Sequence, residues 1–125
     1  MIFLDANILL EVILKDRLQV SQVQKYLSTI SGPTVISMLS VHLLMHFGRK
    51  GQVNDEFLHA VINENEILTL IPEDYIWATA NERGRDFEDA LQVASAVRAQ
   101  CEAFITLDTR LARAYGYLPM DVIVP

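Results

Sequence analysis

Apolar residues along this chain recur at two spacings, and the switch between them sets out the elements. Met1 to Asp5 is a short apolar run, I-F-L, that closes on an aspartate; beyond it Ile8, Leu9, Val12 and Ile13 recur at helical spacing. That order predicts a strand and then a helix, with Asp5 at the strand's carboxyl end. Val20, Val23, Tyr26, Leu27 and Ile30 predict a second helix, stopped by Ser31, Gly32 and Pro33. Thr34 to Ser37 predicts a short strand, followed by a helix on Val41, Leu44, Met45 and Phe47 that ends at Gly48 or Gly51. Phe57, Leu58, Val61 and Ile62 mark another helix, and Ile67 to Ile71 a strand closed by Pro72. The segment 73–82 reads as a helix with Ile76, Trp77 and Ala80 toward the core, broken by Gly84. A helix over 86–100, a strand ending near Asp108, a short helix over 109–115 and a last strand, D-V-I-V, complete the chain.

Strands alternating with helices through short connections predict a parallel sheet covered on both faces. No repeat, low-complexity tract or linker interrupts the pattern, so residues 1–125 are expected to form one domain. Ligands of such sheets collect outside the carboxyl ends of the strands. Two predicted strands end in aspartate, Asp5 and Asp108, and a third is followed closely by His42.

Composition narrows the choice of function. Hydrophobic residues make up 51% of 125 positions, which excludes a disordered chain. No apolar run reaches the roughly 18 residues of a membrane span, and the N-terminus lacks a basic start; a cytoplasmic protein that does not engage a membrane is expected. A single cysteine, Cys101, excludes an internal disulfide and a cysteine-rich zinc site. The net charge of −6 argues against strong non-specific binding to nucleic acid, which depends on Lys and Arg. Clustered carboxylates that carry divalent cations would reverse that sign locally.

The segment R-D-F-E-D-A-L, Arg85 to Leu91, crowds Asp86, Glu88 and Asp89 at the start of a helix whose other residues are small and apolar. Asp86 suits an N-cap, with Asp89 three residues on able to reach back to it, and Glu88 suits solvent. Asp89 has a second use. It lies in the first turn beside the stripe of Ala90, Val93, Ala94 and Val97, a slim face that packs close to a sheet. It therefore points over the sheet's end, toward Asp5 and Asp108. Carboxylates about 4 Å apart repel by about 4 kcal/mol per pair at an effective dielectric near 20. Either their pKa values rise or a cation joins them, and with oxygen donors alone the cation is Mg²⁺ or Mn²⁺.

The motifs L-D-A-N at 4–7, D-F-E-D-A-L at 86–91 and I-T-L-D at 105–108 resemble the PIN domain, and most of all its small prokaryotic VapC-like members. The resemblance runs the length of the chain. It implies a three-layer α/β/α sandwich around a parallel sheet of four to five strands, and a ribonuclease dependent on Mg²⁺ or Mn²⁺. It also implies an RNA substrate, a cognate antitoxin protein and a homodimer. Carried over position by position, Asp5, Asp89 and Asp108 match the catalytic metal ligands. Asn7 matches the polar companion of the first, Thr106 the hydroxyl two residues before the last, and Asp86 a supporting acid. The second motif departs from the family: in I-S-M-L-S-V-H-L-L, His42 stands where an acid is usual. Imidazole is a poor Mg²⁺ ligand, so this site is expected to hold a second metal weakly, with His42 in a supporting place as a substitute ligand, a phosphate-facing proton donor or a leftover of a site that no longer cuts.

The chemistry so implied is hydrolysis of a phosphodiester by metal-activated water, leaving a 5′-phosphate and needing no covalent nucleophile. Arg83, Arg85 and Arg110 flank the acidic motifs and are candidate RNA contacts. The competing reading is a PIN-like binding module in which His42 has weakened or abolished cutting. A haloacid-type phosphatase would want an aspartate where Asn7 stands, and a phosphorylated receiver would want a lysine after its last strands.

Overall fold

The computed structural model describes residues 1–83 and 86–125. The elements run β1 (Ile2–Leu4), α1 (Ala6–Ile13), α2 (Val20–Leu27), β2 (Thr34–Ser37), α3 (Met38–Lys50), α4 (Asp55–Asn63) and β3 (Glu66–Leu68). They continue with α5 (Pro72–Asn81), α6 (Phe87–Arg98), β4 (Ala103–Ile105), α7 (Thr109–Ala114) and β5 (Asp121–Ile123). All strand pairs are parallel and the order across the sheet is β3-β2-β1-β4-β5. The chain thus builds outward from β1 in one direction and then restarts on its other side. The order reverses between β1 and β4, the place where open parallel sheets form a crevice.

Side chains alternate across the sheet as the strand pleat requires. Phe3, Val35 and Phe104 face one way, where they pack with Ala78 of α5, Ala90 and Val93 of α6 and Leu111 of α7. The Phe3 and Phe104 rings stack at 4.8 Å between centroids, locking the central pair. Leu4, Ile36 and Ile105 face the other way, against Ile8 and Leu9 of α1, Val23 of α2, Leu44 of α3 and Leu58 of α4. The result is the expected α/β/α sandwich with five strands.

The local departures from expectation have local causes. Helix α2 ends at Leu27 rather than Ile30, because Ser28 and Thr29 turn their hydroxyls onto the carbonyls of Lys25 and Tyr26. Helix α3, by contrast, runs through Gly48 to Lys50 and ends at the second of its two expected stops, with Gly51 as its C-cap. Gly48 is there for packing: a Cβ on it would stand 2.5 Å from Leu58 Cδ2 of α4. Strand β3 stops at Leu68, short of Ile71.

In α5 the buried positions are Asp74 and Ala78, whereas Ile76 is 64% exposed and Ala80 is exposed too. Apolar periodicity misassigned this face because a buried ion pair occupies part of it. The Asp74 carboxylate accepts from Arg98 Nε of α6 at 2.8 Å and from the Ile71 amide at 3.0 Å. Arg98 also donates to the Thr69 carbonyl at 2.7 Å, joining the two helices and the end of β3. The expected break at Gly84 lies outside the described residues. Among the described residues, no helix is long and apolar enough to cross a membrane.

Candidate active site at the carboxyl edge of the sheet

Three of the helices that start on this edge do so from an aspartate. Asp5 is the N-cap residue of α1, Asp86 of α6 and Asp108 of α7. The caps are not equivalent. The Asp86 side chain accepts from the amides of Glu88 at 3.0 Å and Asp89 at 3.4 Å, so its sequence-derived role as helix starter holds. Asp108 Oδ1 accepts from the amides of Arg110 at 2.9 Å and Leu111 at 3.1 Å. Its Oδ2 takes no hydrogen bond among the described residues. Asp5 caps nothing with its side chain and turns inward instead.

That inward turn is fixed by a small polar network. Thr106 Oγ1 donates to Asp5 Oδ2 at 2.8 Å and accepts from Asn7 Nδ2 at 3.2 Å and from the Asp108 amide at 3.0 Å. One hydroxyl supplies one donor and two acceptor sites, so Thr106 is fully used. Asn7 also donates to Asp5 Oδ2 at 3.1 Å, while its carbonyl oxygen accepts from the Leu107 amide at 3.0 Å. The Asp5 amide bonds to the Ile105 carbonyl at 2.9 Å, continuing the β1–β4 ladder to the site. Residues about a hundred positions apart in sequence are thereby tied together.

Asp86, Asp89 and Asp108 line one pocket of roughly 240 Å³, walled by Arg83 and Arg110 and floored by Leu111 and Tyr115. Asp5 lies behind them, 7% exposed. Its carboxyl is pushed up to about 6, chiefly by burial and further by Asp108, against the lowering pull of Thr106 and the Ala6 and Asn7 amides. Asp89 is pushed up to about 7, first by burial and then by the charges of Asp86, Asp5, Asp108 and Glu88. Among the described residues, no bond runs from the Asp86 amide back to the Asp89 carboxylate. The first-turn acid is therefore spent on the pocket rather than on the cap.

The three aspartates are near enough to perturb one another, yet the gathering is looser than the sequence led one to expect. Among the described residues, no three His, Cys, Asp or Glu side chains converge tightly enough to ligate one ion directly. An all-oxygen donor set with raised pKa values still fits a hard divalent ion that keeps several of its own waters. Asp5 presents a carboxylate already oriented by the side chains of Asn7 and Thr106, the arrangement that metal ligands require of their supports.

His42 does not reach the pocket. It is exposed on α3, with its ring 6.1 Å from that of His46, and its charge is felt by Glu88. Burial raises the Glu88 carboxyl and Asp86 adds to this, while His42 draws it down. Arg85 falls outside the described residues. Sequence reasoning missed a buried cluster beside the site: Ser37 Oγ donates to Gln92 Oε1 at 2.5 Å, and Gln92 Nε2 donates to Ser40 Oγ at 2.9 Å. It joins the two helical layers at the end of β2. It also missed Glu11, which is buried and accepts from the Gln19 amide at 2.7 Å, and Tyr115 on the pocket floor. The only available signal for Gln92 was its position one turn beyond Asp89.

An open parallel sheet with aspartates from the end of β1, from α6 and from the β4–α7 connection near its switch point defines an α/β/α domain with an acidic carboxyl edge. The family model of the PIN domain matches residues 2–117, and the chain belongs to that family. No curated protein sequence matches the chain. Among solved structures, a toxin–antitoxin complex from Klebsiella pneumoniae superposes with a TM-score of 0.79 at 18% identity, over 98% of this chain and 96% of that one. VapC20 of Mycobacterium tuberculosis, described as a sarcin–ricin loop cleaving toxin, gives 0.76 at 13% identity, over 97% and 99%. FitAcB from Neisseria gonorrhoeae gives 0.74 at 21% identity, over 98% and 96%. Likeness at these identities is likeness of fold.

Proposed function

We propose that this chain is a Mg²⁺- or Mn²⁺-dependent endoribonuclease and the toxin of a type II toxin–antitoxin pair. The observation that carries the proposal is the gathering of Asp5, Asp89 and Asp108 at one sheet edge, where burial first and mutual repulsion second push the carboxyls of Asp5 and Asp89 up to about 6 and about 7. Repulsion of that kind is a cost unless a cation relieves it. Membership of the PIN family and the likeness in fold to toxin–antitoxin proteins support the same reading. They also motivate an antitoxin partner and a homodimeric assembly.

A bound divalent ion would polarise a phosphate oxygen and activate the attacking water. The chain's own residues do the rest. Asp5 and Asp108 offer oxygens held by Thr106 and by the first turn of α7. Asp89 Oδ can carry a proton at neutral pH and gives it up when positive charge enters the pocket. Asn7 and Thr106 fix the orientation of Asp5, and Asp86 keeps the first turn of α6 wound so that Asp89 stays in place. Arg83 and Arg110 meet the phosphates of the entering strand, with Arg85 adjacent to them in sequence.

The rival reading, a PIN-like binding module with lost activity, draws on one observation: His42 replaces the motif acid and stands outside the pocket. One comparison separates the two. Wild type is incubated with single-stranded RNA and Mn²⁺ beside Asp5→Asn, and the variant is expected to cut at least about 100-fold more slowly. In parallel, Mn²⁺ at a hundred times its dissociation constant should stabilise wild type by about 2.7 kcal/mol. Stabilisation without cutting by either protein would favour the binding module.

A further inference from the structure

Beyond the acidic pocket lies a second one of roughly 300 Å³, lined by Arg83, Arg110, Arg113 and Ala114. Arg83 and Arg110 wall both pockets, so the two adjoin across these side chains. The chain has only ten Lys and Arg against sixteen acids, and three of the ten meet here. On one flank the Arg83 guanidinium lies 4.7 Å above the ring of Tyr117. Tyr117, half exposed, neighbours Tyr115 at 6.4 Å, and Tyr115 in turn neighbours Trp77 at 6.2 Å. The planar groups therefore form a ladder that begins in the core and ends in solvent at a cation. The ladder is anchored: the Arg83 amide donates to the Tyr115 hydroxyl at 3.4 Å, and the Tyr117 hydroxyl donates to Asn81 Oδ1 at 3.5 Å.

We infer that this flank is a nucleotide subsite for single-stranded RNA. One unpaired base stacks on the Arg83–Tyr117 platform, and Arg110 and Arg113 hold the phosphate beside it. Guanidinium forks match phosphate geometry, and a π-platform holds any base that is free of a duplex. The phosphate contacts would serve a duplex equally, but the platform does not suit a paired helix, whose bases are already stacked. Arg113 and Tyr117 thereby join the substrate path, and a strand lying on the platform leads its next phosphate past Arg83 and Arg110 to the aspartates. The inference rests on the nuclease reading for its choice of RNA, and its test is one of binding.

Full-length protein is titrated onto a fluorescent eight-nucleotide single-stranded RNA with Ca²⁺ in place of Mg²⁺, and anisotropy is read. Replacing each nucleotide in turn with an abasic one should cost wild type about tenfold in affinity at one position. The same abasic position should cost Tyr117→Ala nothing further, and Arg113→Glu should weaken every oligonucleotide about tenfold. Uniform tolerance of abasic sites by wild type overturns the subsite. So does wild-type affinity in both variants, or an Asp/Glu-rich peptide that binds wild type and not Arg113→Glu while RNA binds both alike. The scan on wild type stands even if a variant fails to fold. Wild type that shows the abasic signature yet never cuts with Mn²⁺ keeps the subsite and removes the nuclease reading. Cutting with no abasic signature does the reverse.

Discussion

Asp89 has its ordinary value of 3.8 in an unfolded chain and about 7 in the fold. The folded state therefore binds the proton more readily, and metal-free stability should fall as pH climbs from about 4 to about 7, then level off. Asp5, raised to about 6, contributes in the same sense over a narrower range. After allowance for solvent screening of a half-buried group, the Asp89 contribution is about 1–2 kcal/mol. Asp89→Asn should be more stable than wild type by that amount at pH 8 without metal, and no more stable at pH 4; urea titrations at the two pH values measure it. Thr106→Val should cost about 1–3 kcal/mol in the same titrations, because it deprives Asp5, Asn7 and the Asp108 amide of a shared partner in a buried place. At this scale the sequence was informative about the acids and silent about their support. Asp5, Asp89 and Asp108 announce themselves by position at strand and helix ends. Gln92, Ser37 and Ser40 do not, because a buried polar side chain is explained only by partners that the linear order does not reveal.

The elements were legible where a single period dominates. Strand β2 has the bounds read from its apolar run, and α6 starts at the cap that its acids indicate. Helix α5 was misread because Asp74 is buried, against the usual preference of a carboxylate, through its pairing with Arg98 twenty-four residues on. No periodicity argument can anticipate such an exchange of Ile76 for an acid. Of the two glycines read as possible stops, Gly51 is the C-cap and Gly48 is a contact: α3 and α4 approach so closely that Leu58 occupies the space of a β-carbon. Gly48→Ala would gain helix propensity of about 1 kcal/mol but must displace Leu58, at about 1–3 kcal/mol. A net loss of stability is expected, and thermal unfolding monitored by circular dichroism would register it as a lower Tm. An unchanged or higher Tm would mean that Leu58 adopts another rotamer without cost.

As a whole the molecule is acidic, with a cationic margin where Arg83, Arg110 and Arg113 line one pocket. Ten bases against sixteen acids leave −6, and Arg98 and Arg49 are already engaged with Asp74 and Asp55. Non-specific adhesion to RNA should thus be weak, and binding confined to the margin where Arg83, Arg110 and Arg113 meet. The salt dependence of binding is the measure. Each neutralised phosphate of a single strand contributes about 0.7 to the slope of log K against log salt. Two or three contacts predict a slope near −2, and a slope beyond about −5 would show that far more of the surface takes part. Charge, size and the parallel character of the sheet were open to inference from sequence, since they depend on totals and on the alternation of strands with helices. The juxtaposition of β1 with β4, which assembles the pocket, depends on pairing across a hundred residues and becomes concrete only in three dimensions.

The fact that Asp5, Asp86 and Asp108 each precede a helix bears on how the site should be dissected. An alanine at 86 or 108 would unwind a turn as well as delete a charge, so any lost activity would be uninterpretable. Asparagine caps a helix about as well as aspartate. Amide replacements therefore switch off the negative charge while leaving the scaffold wound, and they are the substitutions that isolate chemistry from architecture.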